Sequence, residues 1–182
     1  MRILSLFDGF GGAELSIPYM FANYTDIEYY SSEIDKYAMA VALSRREMYF
    51  SKSKHYNLGD INNINFNKIS NIDILIAGFP CTDLSIAKAN RQGLAGTRSG
   101  LFYTLLKAID IVKPKYFIIE NVASMSKESV SQISTYLGVE PVLIDSAKLS
   151  AQSRKRLYWC NFEVGQPKDL NISLSSILEN NS

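Results

Sequence analysis

Cys81 follows an apolar run that ends in a glycine and a proline. The run Ile72 to Ala77 has the length and composition of a buried strand, and Gly78, Phe79 and Pro80 lead from it to the thiol. Ligands of open α/β sheets bind outside the carboxyl ends of the strands, so this position predicts a thiol that faces a ligand pocket. Such a cysteine is a candidate nucleophile, and an inert buried cysteine is the alternative.

A carboxylate leaves a second strand further along the chain. The apolar run Tyr116 to Ile119 ends in Glu120 and Asn121, at what is predicted to be the same edge of the sheet. The pattern therefore predicts a nucleophile, Cys81, and an acid, Glu120, in one pocket.

A glycine-rich turn follows the first strand and opens a helix. Its residues are Phe7, Asp8, Gly9, Phe10, Gly11 and Gly12. Glycines there let the backbone approach a ligand at a helix N-terminus, although a tight strand-to-helix connection is the alternative. The spacing is not GxGxxG, which disfavours a nicotinamide dinucleotide. Glu33 ends the second strand, where an acid commonly binds ribose, and Asp60 with Ile61 ends the third, where an adenine could be held.

Arg154 and Arg156 alternate along an extended segment and are therefore predicted to share a face. They could contact a base carbonyl, the thiolate region or a phosphate, and a solvated basic rim is the alternative. Residues 81–160 hold eleven Lys/Arg against six Asp/Glu, whereas residues 1–60 hold six against eight. Positive charge thus gathers in the half of the chain that a nucleic-acid backbone would meet, although the net charge is only +1.

The elements that must position these residues alternate between short apolar runs and helical stretches. This order is typical of βαβ units and predicts an α/β fold with a doubly wound, mostly parallel sheet. Strands are predicted at 3–7, 27–32, 56–58, 72–77, 116–119, 142–144 and 157–162, and helices at 13–22, 35–48, 100–112 and 127–137. Residues 1–164 form one domain in this interpretation, and residues 165–182 form a linker with a short helix.

Composition fits one globular domain, with 182 residues, 47% hydrophobic and 20% charged. The sequence has neither an apolar run of membrane-spanning length nor a signal-peptide layout, so we expect a cytoplasmic protein without membrane contact. His55 is the sole histidine and Cys81 and Cys160 are the two cysteines, which predicts reduced thiols and no metal site.

In order and spacing, these segments resemble the DNA (cytosine-5) methyltransferase family, over nearly all of residues 1–162. The resemblance is carried by the glycine turn, Gly78 to Cys81, Glu120 to Val122 and Gln152 to Arg156. It implies a Rossmann-like methyltransferase fold, S-adenosylmethionine as cofactor and DNA as partner, in a restriction-modification or phage setting. The loop Thr82 to Ser85 and residues 91–102 look more like the animal de novo DNA methyltransferases, because bacterial relatives mostly have glutamine where Thr82 stands.

The resemblance also implies a role for each residue. Phe7 and the glycine turn would hold the methionine part of the cofactor, Glu33 the ribose, and Asp60 the adenine amine, with Ile34 and Ile61 flanking the adenine. The cofactor set is Phe7, Asp8, Gly9, Phe10, Gly11, Gly12, Glu33, Ile34, Asp60, Ile61 and Pro80; the substrate set is Thr82, Ser85, Asn121 and Gln152; the catalytic set is Cys81, Glu120, Arg154 and Arg156.

The implied chemistry explains why a thiol and an acid are needed. Carbon-5 of cytosine is not nucleophilic in the aromatic ring, and addition of the Cys81 thiolate to carbon-6 makes it an enamine carbon that attacks a methyl sulfonium. That addition requires protonation or strong hydrogen bonding at ring nitrogen 3, which Glu120 could supply.

Complete family members continue after the position of Trp159 into a target-recognition domain and then return to the catalytic domain. Since this chain ends about where that domain would begin, we expect full activity to require a second polypeptide that supplies recognition, or self-association. Two alternatives stay open: a non-catalytic or split subunit that acts as a binding module, and a cytosine methyltransferase acting on RNA.

Overall fold

A seven-stranded sheet forms the centre of the molecule. The computed structural model describes residues 1–20, 26–49, 54–80 and 100–178. The strands are β1 (Arg2–Leu6), β2 (Glu28–Ser32), β3 (Lys54–Asn57), β4 (Ile74–Gly78), β5 (Tyr116–Val122), β6 (Val142–Asp145) and β7 (Lys155–Cys160). The helices are α1 (Gly12–Met20), α2 (Lys36–Tyr49), α3 (Leu101–Val112) and α4 (Lys127–Leu137).

The strands are arranged in the order β3-β2-β1-β4-β5-β7-β6. Strands β1 to β5 pair in parallel, and β7 runs antiparallel to both β5 and β6. The chain order reverses between β1 and β4, and ligands of open α/β sheets bind at such a switch point. The predicted α/β fold with a doubly wound, mostly parallel sheet is confirmed.

The larger hydrophobic core lies on the face of the sheet that α3 and α4 cover. Phe102 of α3 and Ile133 of α4 are fully buried there against Leu75, Ile119 and Trp159. Helix α4 has the predicted bounds because its ends are specified locally. The Ser126 hydroxyl, at the N-cap, accepts a hydrogen bond from an amide of the first turn. Gly138, in the left-handed conformation, follows Leu137.

The opposite face carries a smaller cluster, in which Ile17 of α1 packs on Ile3, Tyr29 and Ile74. The described members of this cluster include no residue from β5, β6 or β7. Within the described ranges, the α1 side of those three strands therefore lacks a covering hydrophobic layer.

Several boundaries differ from the sequence prediction for physical reasons. Strand β1 ends at Leu6 because Phe7 adopts a left-handed φ of 59°. Strand β5 continues to Val122 because it pairs with β7 along its whole second half. The short helix expected after residue 165 is a 3₁₀ turn, Leu174–Ser176, in the described part of that segment.

None of the helices in the described ranges has the length and hydrophobicity that a bilayer span requires. The same ranges contain no group of three metal-ligating side chains arranged around a common point.

Candidate active site

A cavity of about 470 Å³ opens at the carboxyl edge of the central strands. It extends from the glycine turn and the first turn of α1 across β4 to β5 and β7. Its lining includes Ser5, Phe7, Asp8, Gly9, Phe10, Gly12, Ala13, Ile76, Gly78, Ile118, Glu120 and Tyr158. A volume of this size is typical of small-molecule sites. One cavity therefore joins the glycine turn, predicted to hold a cofactor, to the acid predicted to act on a base.

The glycine turn bends sharply at three positions. Phe7, Gly9 and Gly11 have φ values of 59°, 58° and 79°. At Gly11 a β-carbon would lie 3.2 Å from Cβ of Ala42, so the turn also needs a glycine there to approach α2. A left-handed φ is uncommon for phenylalanine, and such strain concentrates at functional sites.

The Asp8 carboxylate fixes this turn through hydrogen bonds from side chains of β1 and β2. Its Oδ1 accepts hydrogen bonds from Tyr29 Oη at 2.6 Å and from Ser5 Oγ at 2.5 Å. Burial raises the pKa of Asp8, and these two hydrogen bonds oppose that rise. Sequence reasoning did not single out Ser5 or Tyr29; the available signal was a pair of hydroxyls within otherwise buried strands.

Glu33 ties the end of β2 to the glycine turn. Its Oε2 accepts from the amide of Gly9 at 2.7 Å, and its Oε1 accepts from the amides of Ile34 and Asp35 at 2.7 and 2.8 Å. Glu33 also lines a neighbouring cavity of about 280 Å³ together with His55. The carboxylate is thus held by backbone at the predicted ribose position.

The residues predicted around an adenine lie outside the lining of the larger cavity. Ile34 is exposed, whereas Ile61 is buried in the larger core. Asp60 follows the end of β3 at Asn57 and caps the 3₁₀ turn Ile61–Asn63, accepting at Oδ1 from the Asn62 amide at 2.9 Å. Ile34, Asp60 and Ile61 thus follow β2 and β3 in the chain, and none of them lines either of the two cavities described in this part of the structure.

Glu120 and Arg156 form an ion pair within the site. Arg156 Nε lies 2.6 Å from Oε1 of Glu120. Burial raises the pKa of the Glu120 carboxyl, while the positive charges of Arg156 and Arg154 oppose this, and the pKa remains above its usual value. The carboxyl can therefore carry a proton more readily than an exposed glutamate.

The remaining predicted base-site residues lie around this pair. Arg154 precedes β7 and its side chain is exposed, as is that of Gln152. Tyr158, which sequence reasoning missed, is the cross-strand partner of Glu120 and lines the cavity. Alternation along β7 from Arg156 was the signal that could have found it.

Asn121 holds the segment that leads to the predicted nucleophile. Its side chain is buried, and Nδ2 donates to the carbonyl oxygen of Phe79 at 3.1 Å. The Phe79 ring packs on Phe102 with a centroid distance of 5.1 Å. The backbone is thus fixed close to the half-buried Pro80.

Three predicted site residues, Cys81, Thr82 and Ser85, lie outside the described residues. The predicted likeness of this loop to the animal enzymes falls on the same part of the chain.

A sequence model of the family described as "C-5 cytosine-specific DNA methylase" matches residues 1–182. The orphan methyltransferase M.SPRI of Bacillus phage SPR is 29% identical over 170 residues, which are 87% of this chain and 37% of that protein. The type II methyltransferase M.HaeII of Haemophilus aegyptius is 38% identical over 125 residues, which are 69% of this chain and 36% of that protein. The chain thus spans little more than a third of these two relatives.

Among solved structures, a mutant of DNMT2 from Spodoptera frugiperda superposes with a TM-score of 0.66 at 20% identity. The superposition covers 100% of this chain and 60% of that protein. At this identity the likeness concerns the fold, and it confirms the predicted Rossmann-like methyltransferase architecture.

Proposed function

Because this chain belongs to the C-5 cytosine-specific DNA methylase family, we propose that it transfers a methyl group from S-adenosylmethionine to carbon-5 of cytosine in DNA. The observation that carries the proposal is the single cavity of about 470 Å³ that contains both the glycine turn and Glu120. Methyl donor and target base must meet in such a space for direct transfer.

The residues at the cavity fit the cofactor. Gly9 and Gly12 have no neighbouring atom within 4 Å of where a β-carbon would stand, so the turn leaves open space above its backbone. Phe7 and Asp8 line that space, and Glu33 fixes the turn through the Gly9 amide. In this proposal the turn holds the methionine part, Glu33 and Asp60 hold the ribose and adenine, and the bound cofactor supplies an electrophilic methyl group.

On the base side, Cys81 and Glu120 carry the chemistry. The base is flipped out of its stack into the site. The Cys81 thiolate forms a bond to carbon-6 while the Glu120 carboxyl gives its proton to nitrogen 3, so that carbon-5 becomes nucleophilic. After methyl transfer, the proton on carbon-5 leaves to solvent, the carbon-6 to sulfur bond breaks, and nitrogen 3 returns its proton to Glu120.

Arg156 acts directly beside this step. Its ion pair with Glu120 fixes the carboxyl, and its charge keeps the pKa of Glu120 from rising further. Asn121, by holding the Phe79 carbonyl, orients the segment that carries Cys81. Thr82, Ser85 and Gln152 remain candidates for contacts to the substrate.

DNA contact is proposed at the basic rim formed by Arg154, Lys155 and Arg156. The side chains of Arg154 and Lys155 are exposed, and the positive charges of Arg154 and Arg156 act on Glu120, which lines the cavity. Contacts from such a rim go mainly to phosphate, so binding by this chain alone is expected to be salt-sensitive with little sequence preference.

A second polypeptide is proposed to cover the α1 side of β5 and β7, where the described residues form no hydrophobic layer. Tyr116 and Phe162 stack edge-on there with centroids 5.7 Å apart, and each is 40% exposed. Exposed aromatic rings that lie together on a sheet face mark a surface that another protein can cover. In this proposal the partner supplies target recognition.

The function is tested by methyl transfer to mixed-sequence DNA and RNA, with and without the products of neighbouring genes. We expect methylation of DNA cytosine, a fall of roughly 10²–10⁴-fold in Glu120→Gln, and a narrower methylation pattern when the partner is present. Tyr116→Glu should remove the partner's effect alone. Methylation of RNA but not DNA, or fast methylation at one sequence by a monomer, would contradict the corresponding part of the proposal.

A further inference from the structure

Asp145, the last residue of β6, accepts three hydrogen bonds, two of which come from the residues just before β7. Its Oδ1 accepts from the amide of Arg154 at 2.9 Å and from the amide of Ala147 at 3.1 Å. Its Oδ2 accepts from Ser153 Oγ at 3.0 Å. The carboxylate therefore closes the neck of the loop that joins β6 to β7.

Serines of this loop bond to its own backbone. Ser146 Oγ donates to the carbonyl of Gln152 at 2.5 Å, and the amide of Ser150 donates to the carbonyl of Ser146 at 2.8 Å. The amide of Ser146 also donates to the carbonyl of Arg154 at 3.3 Å. The loop is thus a closed, internally bonded turn whose exposed side chains include Gln152 and Arg154.

The neck of the loop is adjacent to the acid of the site. Arg156 pairs in register with Ile144 of β6 on one side and Val122 of β5 on the other, and it forms the ion pair with Glu120. Among the described residues, the charged or titratable groups that act on Glu120 from this direction are Arg156, Arg154 and Tyr158.

We infer that Asp145 is a positioning residue: two of its three hydrogen bonds hold the Arg154 amide and the Ser153 hydroxyl, and thereby set both arginines against Glu120. The negative charge of Asp145 repels the phosphates that the basic rim is proposed to meet, so its charge alone does not favour DNA binding. The inference rests on the proposed function only for the consequence that Glu120 acts on a base.

The direction in which the pKa of Glu120 changes distinguishes a positioning role of Asp145 from a purely electrostatic role. Removing the negative charge of Asp145 can only lower the pKa of the Glu120 carboxyl, because a like charge has been taken away. Releasing Arg154 from its place raises that pKa, because a favourable positive charge is lost. Asp145→Ala removes the negative charge and also releases Arg154. If Asp145 acts as a positioning residue, the rise in the pKa of Glu120 caused by the release of Arg154 is the larger of the two effects.

The experiment is a carbon-13 NMR titration of the Glu120 carboxyl in the purified chain, assigned with Glu120→Gln. We expect the pKa of Glu120 to rise in Asp145→Ala, in the same direction as in Arg154→Ala. It should not rise in Asp145→Asn, which keeps an oxygen acceptor, or in Asp110→Ala, which removes an exposed carboxylate from α3. An unchanged or lowered pKa in Asp145→Ala, or no rise in Arg154→Ala, would overturn the inference.

Two further measurements complete the design. If Asp145→Ala does not fold, Asp145→Ser gives the same comparison, because its shorter hydroxyl can keep only part of the set of bonds. In the active protein, kcat should fall roughly tenfold in Asp145→Ala, with the high-pH limb of the rate profile moved to higher pH. Since the NMR titration needs no turnover, absence of methyl transfer would count against the proposed function without affecting the result for Asp145.

Discussion

Gly78 and Glu120 are direct partners in the ladder between β4 and β5, and a β-carbon on Gly78 would lie 3.0 Å from Oε2 of Glu120. That separation is shorter than an ordinary van der Waals contact. The Glu120 carboxyl therefore occupies space that exists because residue 78 has no side chain. The glycine before Phe79 therefore makes room for the Glu120 carboxyl.

Gly78→Ala should displace this carboxyl and lower kcat by about tenfold to a hundredfold, since small errors in the position of a reacting group are costly. The measurement is steady-state methyl transfer, with cofactor affinity measured separately. Gly165→Ala is the matched control, because a β-carbon there meets nothing within 4 Å. Equal kcat values for Gly78→Ala and the wild type would show that the crowding is relieved without moving Glu120.

DNA that contains 5-fluorocytosine should become covalently trapped on Cys81, because fluorine cannot leave as the carbon-5 proton does. Cys81→Ser should abolish both trapping and turnover. Cys160→Ser is the control: burial raises the pKa of the Cys160 thiol to about 11, so little thiolate forms at neutral pH. Peptide mapping of the adduct to Cys160 would refute the assignment of the nucleophile.

Glu33→Ala should weaken S-adenosylmethionine binding by about 1–3 kcal/mol, because it removes the proposed ribose contact and frees the Gly9 amide that the carboxylate holds. Asp60→Ala should weaken binding in the same range through the adenine end. Calorimetry on the chain alone measures both effects. Glu28→Ala is the control: Glu28 lies at the other end of β2 and pairs with Arg2, so affinity for the cofactor should not change. Unchanged affinity in all three variants would refute the assignment of the cofactor site.

His55 should make the fold less stable in acid. Burial, assisted by the charge of Arg46, lowers the pKa of His55 from 6.5 to about 4. The unfolded chain therefore binds more protons between these values, so the free energy of unfolding should fall as pH decreases from about 6.5 to about 4. Urea unfolding of the wild type and His55→Gln isolates this effect, because the other titrating groups are common to both. Parallel pH dependence in the two proteins would contradict it.

The helices and strands that are specified by hydrophobic periodicity and by the residues at their ends were predictable. Helix α4 has the predicted ends because Ser126 caps it and Gly138 stops it. The edge at which Glu33 and Glu120 emerge follows from the parallel strand order. The sequence could not predict side-chain contacts between neighbouring strands, because the hydrogen bonds from Tyr29 and Ser5 to Asp8 depend on strand register.

Register also accounts for the largest omission at the base side. Alternation along β7 places Tyr158 on the same face as Arg156, but the pairing that sets it opposite Glu120 could not be read from the sequence. Asp145 was missed for a related reason: its partners lie across the turn of a hairpin whose pairing was not predicted. The roles predicted for Cys81, Thr82 and Ser85 stay predictions.

The reversed direction of β7 divides the site into two parts that can change separately. A strand that runs against its parallel neighbours begins at the edge where they end, so Arg156 at the start of β7 meets Glu120 near the end of β5. Strands β6 and β7 form the outer margin of the sheet, whereas the glycine turn belongs to its centre. An exchange of this marginal hairpin would therefore change the surroundings of Glu120 while the glycine turn and the inner strands stay the same.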